Sequence, residues 1–139
     1  MRHLLFFLMF VALLACKKES IKLNNGFYGG TFKYDTLILT EGLIISDDSF
    51  EELASGGALQ QKYPHYCLTK GTYKIQGEMI YFNDIQIAQP PNVEISYCDE
   101  DYLLMGSYYI EEMKDSTISF WKNSILGKQE YKLKLYQSN

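Results

Sequence analysis

Histidine is almost missing from this chain of 139 residues: His3 stands near the start and His65 alone follows it. Imidazole is the side chain whose ordinary pKa lies near neutrality, so its scarcity removes most routes to general acid–base catalysis. No hydroxyl nucleophile stands at a recognised triad spacing from His65, which sits in the loop-like run Tyr63-Pro64-His65-Tyr66. Long apolar runs are lacking too. The run from Leu4 to Leu14 has eleven residues, whereas a bilayer-spanning helix needs about twenty. Basic clusters are also missing. Thirteen Lys and Arg against seventeen Asp and Glu give a net charge of −4, which argues against nucleic acid as a partner, because phosphate binding needs a clustered basic surface. No cofactor motif is present.

The amino terminus carries a different kind of information. Arg2 and His3 form a short basic start, the apolar run follows, and it ends in Leu13-Leu14-Ala15-Cys16. This resembles the bacterial lipobox, and the resemblance implies diacylation of the Cys16 thiol with cleavage before it. A signal peptide would then occupy residues 1–15, a lipidated terminus and polar linker residues 16–25, and one folded domain residues 26–139. The alternative is an ordinary cleaved signal peptide. Each buried methylene of a lipid contributes about 0.8 kcal/mol, so two or three acyl chains hold durably. The expected location is the cell envelope, and Lys17 in place of Asp after the cysteine favours the outer membrane by the sorting rule that the lipobox implies.

With Cys16 lipidated, only Cys67 and Cys98 remain, in an oxidising compartment where a disulfide between them is the leading reading. A free reactive pair is the alternative.

Three stretches share a pattern of Gly, Thr or Ser, then an aromatic: Gly30-Thr31-Phe32, Gly71-Thr72-Tyr73 and Gly106-Ser107-Tyr108. Folding each back on itself tests for a hairpin, because opposed residues of an antiparallel pair share a face. A turn at Gly77-Glu78, with Gly first as type II′ prefers, sets Tyr73 opposite Phe82 and Ile75 opposite Ile80. A turn at Asp35-Thr36 sets Phe32 opposite Leu39 and Tyr34 opposite Leu37. A three-residue loop at Met113-Lys114-Asp115 sets Tyr108 opposite Phe120 and Ile110 opposite Ile118. Further strands are expected at Leu43 to Ser46, Asn92 to Tyr97 and Glu130 to Tyr136, the last with Tyr131, Leu133 and Leu135 alternating with lysines. Asp48 and Glu51 have the spacing of a capping box, so Asp48 to Leu53, closing at Gly56-Gly57, is expected to be a short helix.

The expected fold is all-β: an antiparallel meander β-barrel of about eight strands with one short helix. From Gly26 to Tyr136 the repeated Gly-Thr-aromatic hairpins resemble the small calycin or lipocalin-like barrels found among bacterial lipoproteins. The Gly-X-Trp of lipocalins is replaced here by Gly26-Phe27-Tyr28.

No catalytic or metal site is expected. Acidic clusters at Asp47-Asp48 with Glu51-Glu52, at Asp99-Glu100-Asp101, and at Glu111-Glu112 with Asp115 lack the glycine of a calcium loop. Their plain readings are a helix amino terminus and two turns, with weak calcium binding at Asp99 to Asp101 as the alternative. Tyr81, Tyr109 and Trp121 point outward by the registers above and are the candidate binding residues, since Tyr and Trp bury large area at low entropic cost. The plain alternative is that they brace neighbouring strands. The inward list includes Phe32, Tyr34, Tyr73, Phe82, Tyr108, Phe120 and Tyr131, enough rings to fill a small barrel. The leading expectation is a non-enzymatic binding module that contacts an envelope protein or a surface polymer. A second is a lipocalin-like carrier of a small apolar ligand. A third is a hydrolase inhibitor or immunity lipoprotein, because Ser55-Gly56-Gly57-Ala58 with Lys62-Tyr63 resembles the loop motif of membrane-bound lysozyme inhibitors.

Overall fold

Alternating sequence becomes strand throughout the computed structural model, which describes residues 21–54, 67–88 and 98–138. The strands are β1 (Gly26–Tyr34), β2 (Leu37–Ser46), β3 (Ser49–Ala54), β4 (Thr69–Gln76), β5 (Met79–Ile87), β6 (Gly106–Lys114), β7 (Thr117–Ser124) and β8 (Gly127–Ser138). Each pairs antiparallel with its sequence neighbour, and β8 returns to β1, giving a closed eight-stranded meander. Closure removes the exposed sheet edges that an open meander would leave.

The first two hairpins have the expected registers. Phe32 faces Leu39 and Tyr34 faces Leu37 across β1 and β2, and Tyr73 faces Phe82 and Ile75 faces Ile80 across β4 and β5. Gly77 takes φ +60°, the left-handed first position that a type II′ turn requires. In the first hairpin Asp35 takes φ +53° instead; Asp adopts this conformation more readily than most residues. The third hairpin corrects the expected register. Its turn is Asp115-Ser116, Ile110 faces Phe120, Met113 faces Ile118, and the ladder shifts between Ile110 and Glu112. The surplus residue is taken up as a bulge inside β6, not in a longer loop, and this lets both Ile110 and Met113 pack on the core.

Two expected elements change identity. Leu43 to Ser46 is the end of the continuous β2, and the helix expected from Asp48 is a hairpin turn followed by β3. The reason is on the inner face. Phe50 and Glu52 are both buried while Ser49 and Glu51 face out, so the segment has a strand's period of two, hidden because one inward position carries a charge. Within the described residues the single helical turn is a 3-10 turn at Glu100–Tyr102. The strand expected at Asn92 to Tyr97 lies outside the described residues.

The meander gives the barrel two unlike ends. Turns at 47–48, 77–78 and 115–116 and the entering chain form a floor; the turns at 35–36 and 125–126, the end of β3, the start of β4, the end of β5 and the start of β6 lie at the mouth. The chain packs on the floor before β1 begins. Leu23 is buried, its N–H donates to the Tyr73 hydroxyl at 3.1 Å, and that hydroxyl donates to the Asp47 carbonyl at 3.0 Å. Asn24 donates to the Asp115 carbonyl, and Asn25 accepts from the Asp47 N–H. At the mouth, Cys67 and Cys98 form a disulfide that ties the start of β4 to the β5–β6 connection.

Between floor and mouth the interior is filled with rings. All seven residues of the inward list are buried. Tyr131 stacks on Phe120 at 4.9 Å and lies 4.6 Å from Phe32, while Phe82 meets Phe50, Phe120 and Tyr108 at 4.9, 5.4 and 5.7 Å. Edge and offset contacts of this kind are favoured by the ring quadrupole and add about 0.5–1.5 kcal/mol each beyond the area they bury.

Candidate functional site

The three outward aromatics expected from sequence come together on one wall. Strand β6 sets Tyr109 directly opposite Met79 on β5 and Trp121 on β7. The Tyr109 and Trp121 rings lie 5.0 Å apart, tilted by 31°. Tyr81 pairs with Ser107, two residues from Tyr109 on the same face, so it occupies the diagonal position of the patch. Tyr109 is half exposed at 52 %, whereas Tyr81 and Trp121 are partly covered.

Charged side chains border the patch. The Lys128 ammonium lies 4.9 Å from the centre of the Trp121 ring and donates to Glu130 at 2.8 Å. Glu130 also pairs with Lys132 at 3.4 Å, and its carboxyl is held below the ordinary range chiefly by its hydrogen bond from Lys128. Lys74 stands opposite Tyr81 on β4. The wall therefore offers ring faces and ring hydroxyls beside ions of both signs, a surface suited to amphipathic contact.

Sequence reasoning did not find the polar layer beneath the mouth. Glu41 on β2 and Glu52 on β3 point inward and are 3 % and 1 % exposed, at diagonal positions, since Glu41 faces Ala54 and Glu52 faces Leu43. The β3–β4 ladder ends at Glu51 and Lys70. Just beyond it Glu52 Oε2 accepts the Thr69 N–H at 2.6 Å and the Thr69 hydroxyl at 2.5 Å, so a side chain continues the seam where backbone pairing stops. Glu52 Oε1 is buried without a hydrogen-bond partner. Burial raises the Glu52 pKa to about 7, against the two Thr69 donors that favour the carboxylate. The only advance signal was a charged residue at an inward position of an alternating pattern.

The remaining polar groups of this layer hold the β5–β6 connection. Gln129 donates to the Asp101 carbonyl and accepts from the Tyr108 hydroxyl. Lys122 donates to the Met105 carbonyl at 2.9 Å and lies over the Tyr108 ring; burial lowers its pKa. These bonds satisfy backbone carbonyls that the barrel rim leaves without ladder partners.

The acidic clusters separate by position. Asp47 and Asp48 form the β2–β3 turn, Asp47 with φ +53°. Asp99 caps the 3-10 turn, its side chain accepting from the Asp101 N–H. Glu111 is the bulge residue of β6, and Asp115 begins the β6–β7 turn. Among the described residues no group of three or more His, Cys, Asp or Glu could hold a metal ion. Cys16, His65 and the run from Ser55 to Tyr63 lie outside the described residues. On the outer wall, a groove of about 640 Å³, open to solvent, is lined by Gly29, Gly30, Glu112, Ser119, Lys132 and Tyr136 among others. No family model, curated protein or solved structure matches this chain.

Proposed function

We propose that this chain is a lipid-anchored binding module of the bacterial cell envelope, tethered through Cys16 and acting without catalysis. Its contact surface is the outer wall of β5, β6 and β7. The observation that carries the reading is the convergence of Tyr81, Tyr109 and Trp121 on one face of three consecutive strands, with Tyr109 half exposed. The chemistry of such a wall suits a protein surface or a surface polymer, since both present flat apolar area edged by hydrogen-bonding groups. Contacts among Phe32, Phe82, Tyr108, Phe120 and Tyr131 occupy the barrel's centre, which favours an exterior contact over the carriage of a small apolar ligand.

The test is capture of envelope components by the tethered wild-type chain and by a Tyr109→Ala, Trp121→Ala double variant. Both side chains are on the outer wall, so the variant keeps the ring-packed core. A component retained by the wild type and lost by the variant is the expected result; identical captures would refute the assignment. Absence of lysozyme inhibition by the purified chain would remove the hydrolase-inhibitor alternative.

A further inference from the structure

The β7–β8 hairpin breaks a rule that the other tight turns keep. Its tip is Ile125-Leu126, whereas the turns at 35–36, 47–48, 77–78 and 115–116 all contain Asp or Gly. Ile125 is 87 % exposed and Leu126 is 55 % exposed. Neither residue has a positive φ; the strained position of this turn is taken by the following Gly127, at φ +120°. The backbone at 125 and 126 therefore accepts ordinary polar residues, and folding does not account for two aliphatic ones.

The tip is also presented in a fixed way. Register places Gln129 of β8 beside Tyr34 of β1, the last residue before the β1–β2 turn. The β7–β8 ladder continues past that level through Asn123–Lys128 and Ser124–Gly127. Two further residue pairs carry the tip about 7 Å beyond its neighbour hairpin. The buried Tyr34 hydroxyl accepts the Leu126 N–H at 3.2 Å and donates to Ser124 Oγ at 3.1 Å. Ser124 in turn reaches Asp101 Oδ1 at 3.4 Å, and the Tyr102 ring packs edge-on against Tyr34 at 5.3 Å.

Those same contacts set an acidic collar along one side of the tip. Asp35 follows Tyr34, and the 3-10 turn that carries Glu100 and Asp101 and is capped by Asp99 meets Ser124 through Asp101. Among the described residues, the cations on the flanking strands are engaged or turned away: Lys122 donates to the Met105 carbonyl, Lys128 lies between Glu130 and Trp121, and Lys33 faces outward opposite Glu130.

We propose that Ile125 and Leu126 are a docking knob that enters an apolar pocket of a protein partner whose pocket rim is basic. The collar's charge selects this occupant. A membrane-inserting tip is flanked by Lys or Arg facing anionic headgroups, and carboxylates there are repelled. A second copy of this chain would bring its own acidic collar against the first. This surface is distinct from the aromatic wall and does not depend on it.

The experiment places a photo-crosslinking amino acid at Ile125, or at the outward Thr40 of β2 as control, in the full chain within its own envelope. Adducts are identified by mass spectrometry, and the protein found is purified and bound to the unlabelled chain. The expected result is a protein adduct from position 125 and not from position 40. Its binding should weaken at least about tenfold with Ile125→Ser and Leu126→Ser together. It should also weaken with Asp35→Asn and Glu100→Gln together and as salt is raised. All four positions are at the surface, so each variant should melt with the wild type. A phospholipid adduct, a self-adduct, equal adducts at both positions, no adduct, or binding insensitive to these changes would each overturn the proposal.

Discussion

Replacing Glu52 by Gln should change how the protein's stability depends on pH, and the direction is fixed by its environment. The carboxyl is buried at the β3–β4 seam, and burial raises its pKa from 4.5 to about 7 in the folded state. A raised carboxyl contributes stability that is fully present below its unfolded pKa and is lost as pH rises through its folded pKa. The rise from 4.5 to about 7 corresponds to about 3 kcal/mol, lost between about pH 4.5 and pH 7.5. Gln keeps an oxygen to accept from Thr69 and cannot ionise, but its amide N–H groups enter a site where Glu52 Oε1 has no hydrogen-bond partner. That costs about 1–3 kcal/mol at every pH. The variant should therefore be the less stable protein near pH 5 and should match or exceed the wild type near pH 8. Urea unfolding of both proteins across this range, with the disulfide intact, measures the effect. Parallel stability profiles would refute the assignment of a protonated, buried Glu52.

Reduction of Cys67–Cys98, or Ser at both positions, releases a tie between residues 31 apart and should cost about 3–4 kcal/mol in the chain-entropy treatment, read from the urea midpoint. Phe120 and Trp121 are sequence neighbours on opposite faces, so Phe120→Ala should cost about 3–5 kcal/mol through a core cavity. Trp121→Ala, which removes one outer ring pair, should cost about 1 kcal/mol by the same thermal or urea assay. Gly77→Ala meets open space but forces a left-handed alanine and should lower stability by about 1–2 kcal/mol; a neutral result would show that the turn relaxes.

Two hairpins were legible down to residue pairs because one face of each is apolar and a slip by one residue would reverse every side chain. Phe32 against Leu39 and Tyr73 against Phe82 leave no alternative. The third was misread because a bulge in β6 has no residue signature: an extra residue within a strand and an extra residue in a loop give the same spacing from Tyr108 to Phe120. Strand β3 was misread for a different reason. Asp48 and Glu51 match a capping box, and the rule that inward positions are apolar fails at Glu52, whose carboxyl is held by Thr69 seventeen residues later. No local pattern contains that partner. The outward aromatics were found because Tyr81 and Trp121 follow from strand alternation alone, while the direct pairing of Tyr109 with Trp121 required the bulged register. The β7–β8 tip was invisible as a surface until the fold showed Ile125 and Leu126 projecting from the mouth.

Trp121 is the only tryptophan in the chain, which allows the aromatic wall to be watched without interference from other components. With 5-fluorotryptophan incorporated, the folded domain has one fluorine resonance, reporting on the ring that stands between Tyr109 and Lys128. Solubilised envelope fractions, and then the captured partner itself, are added while that resonance is recorded. A binding wall predicts a saturable shift or broadening that disappears with Tyr109→Ala. An unmoved, sharp resonance in a sample where the chain co-elutes with its partner would contradict the claim that this wall is where the protein binds.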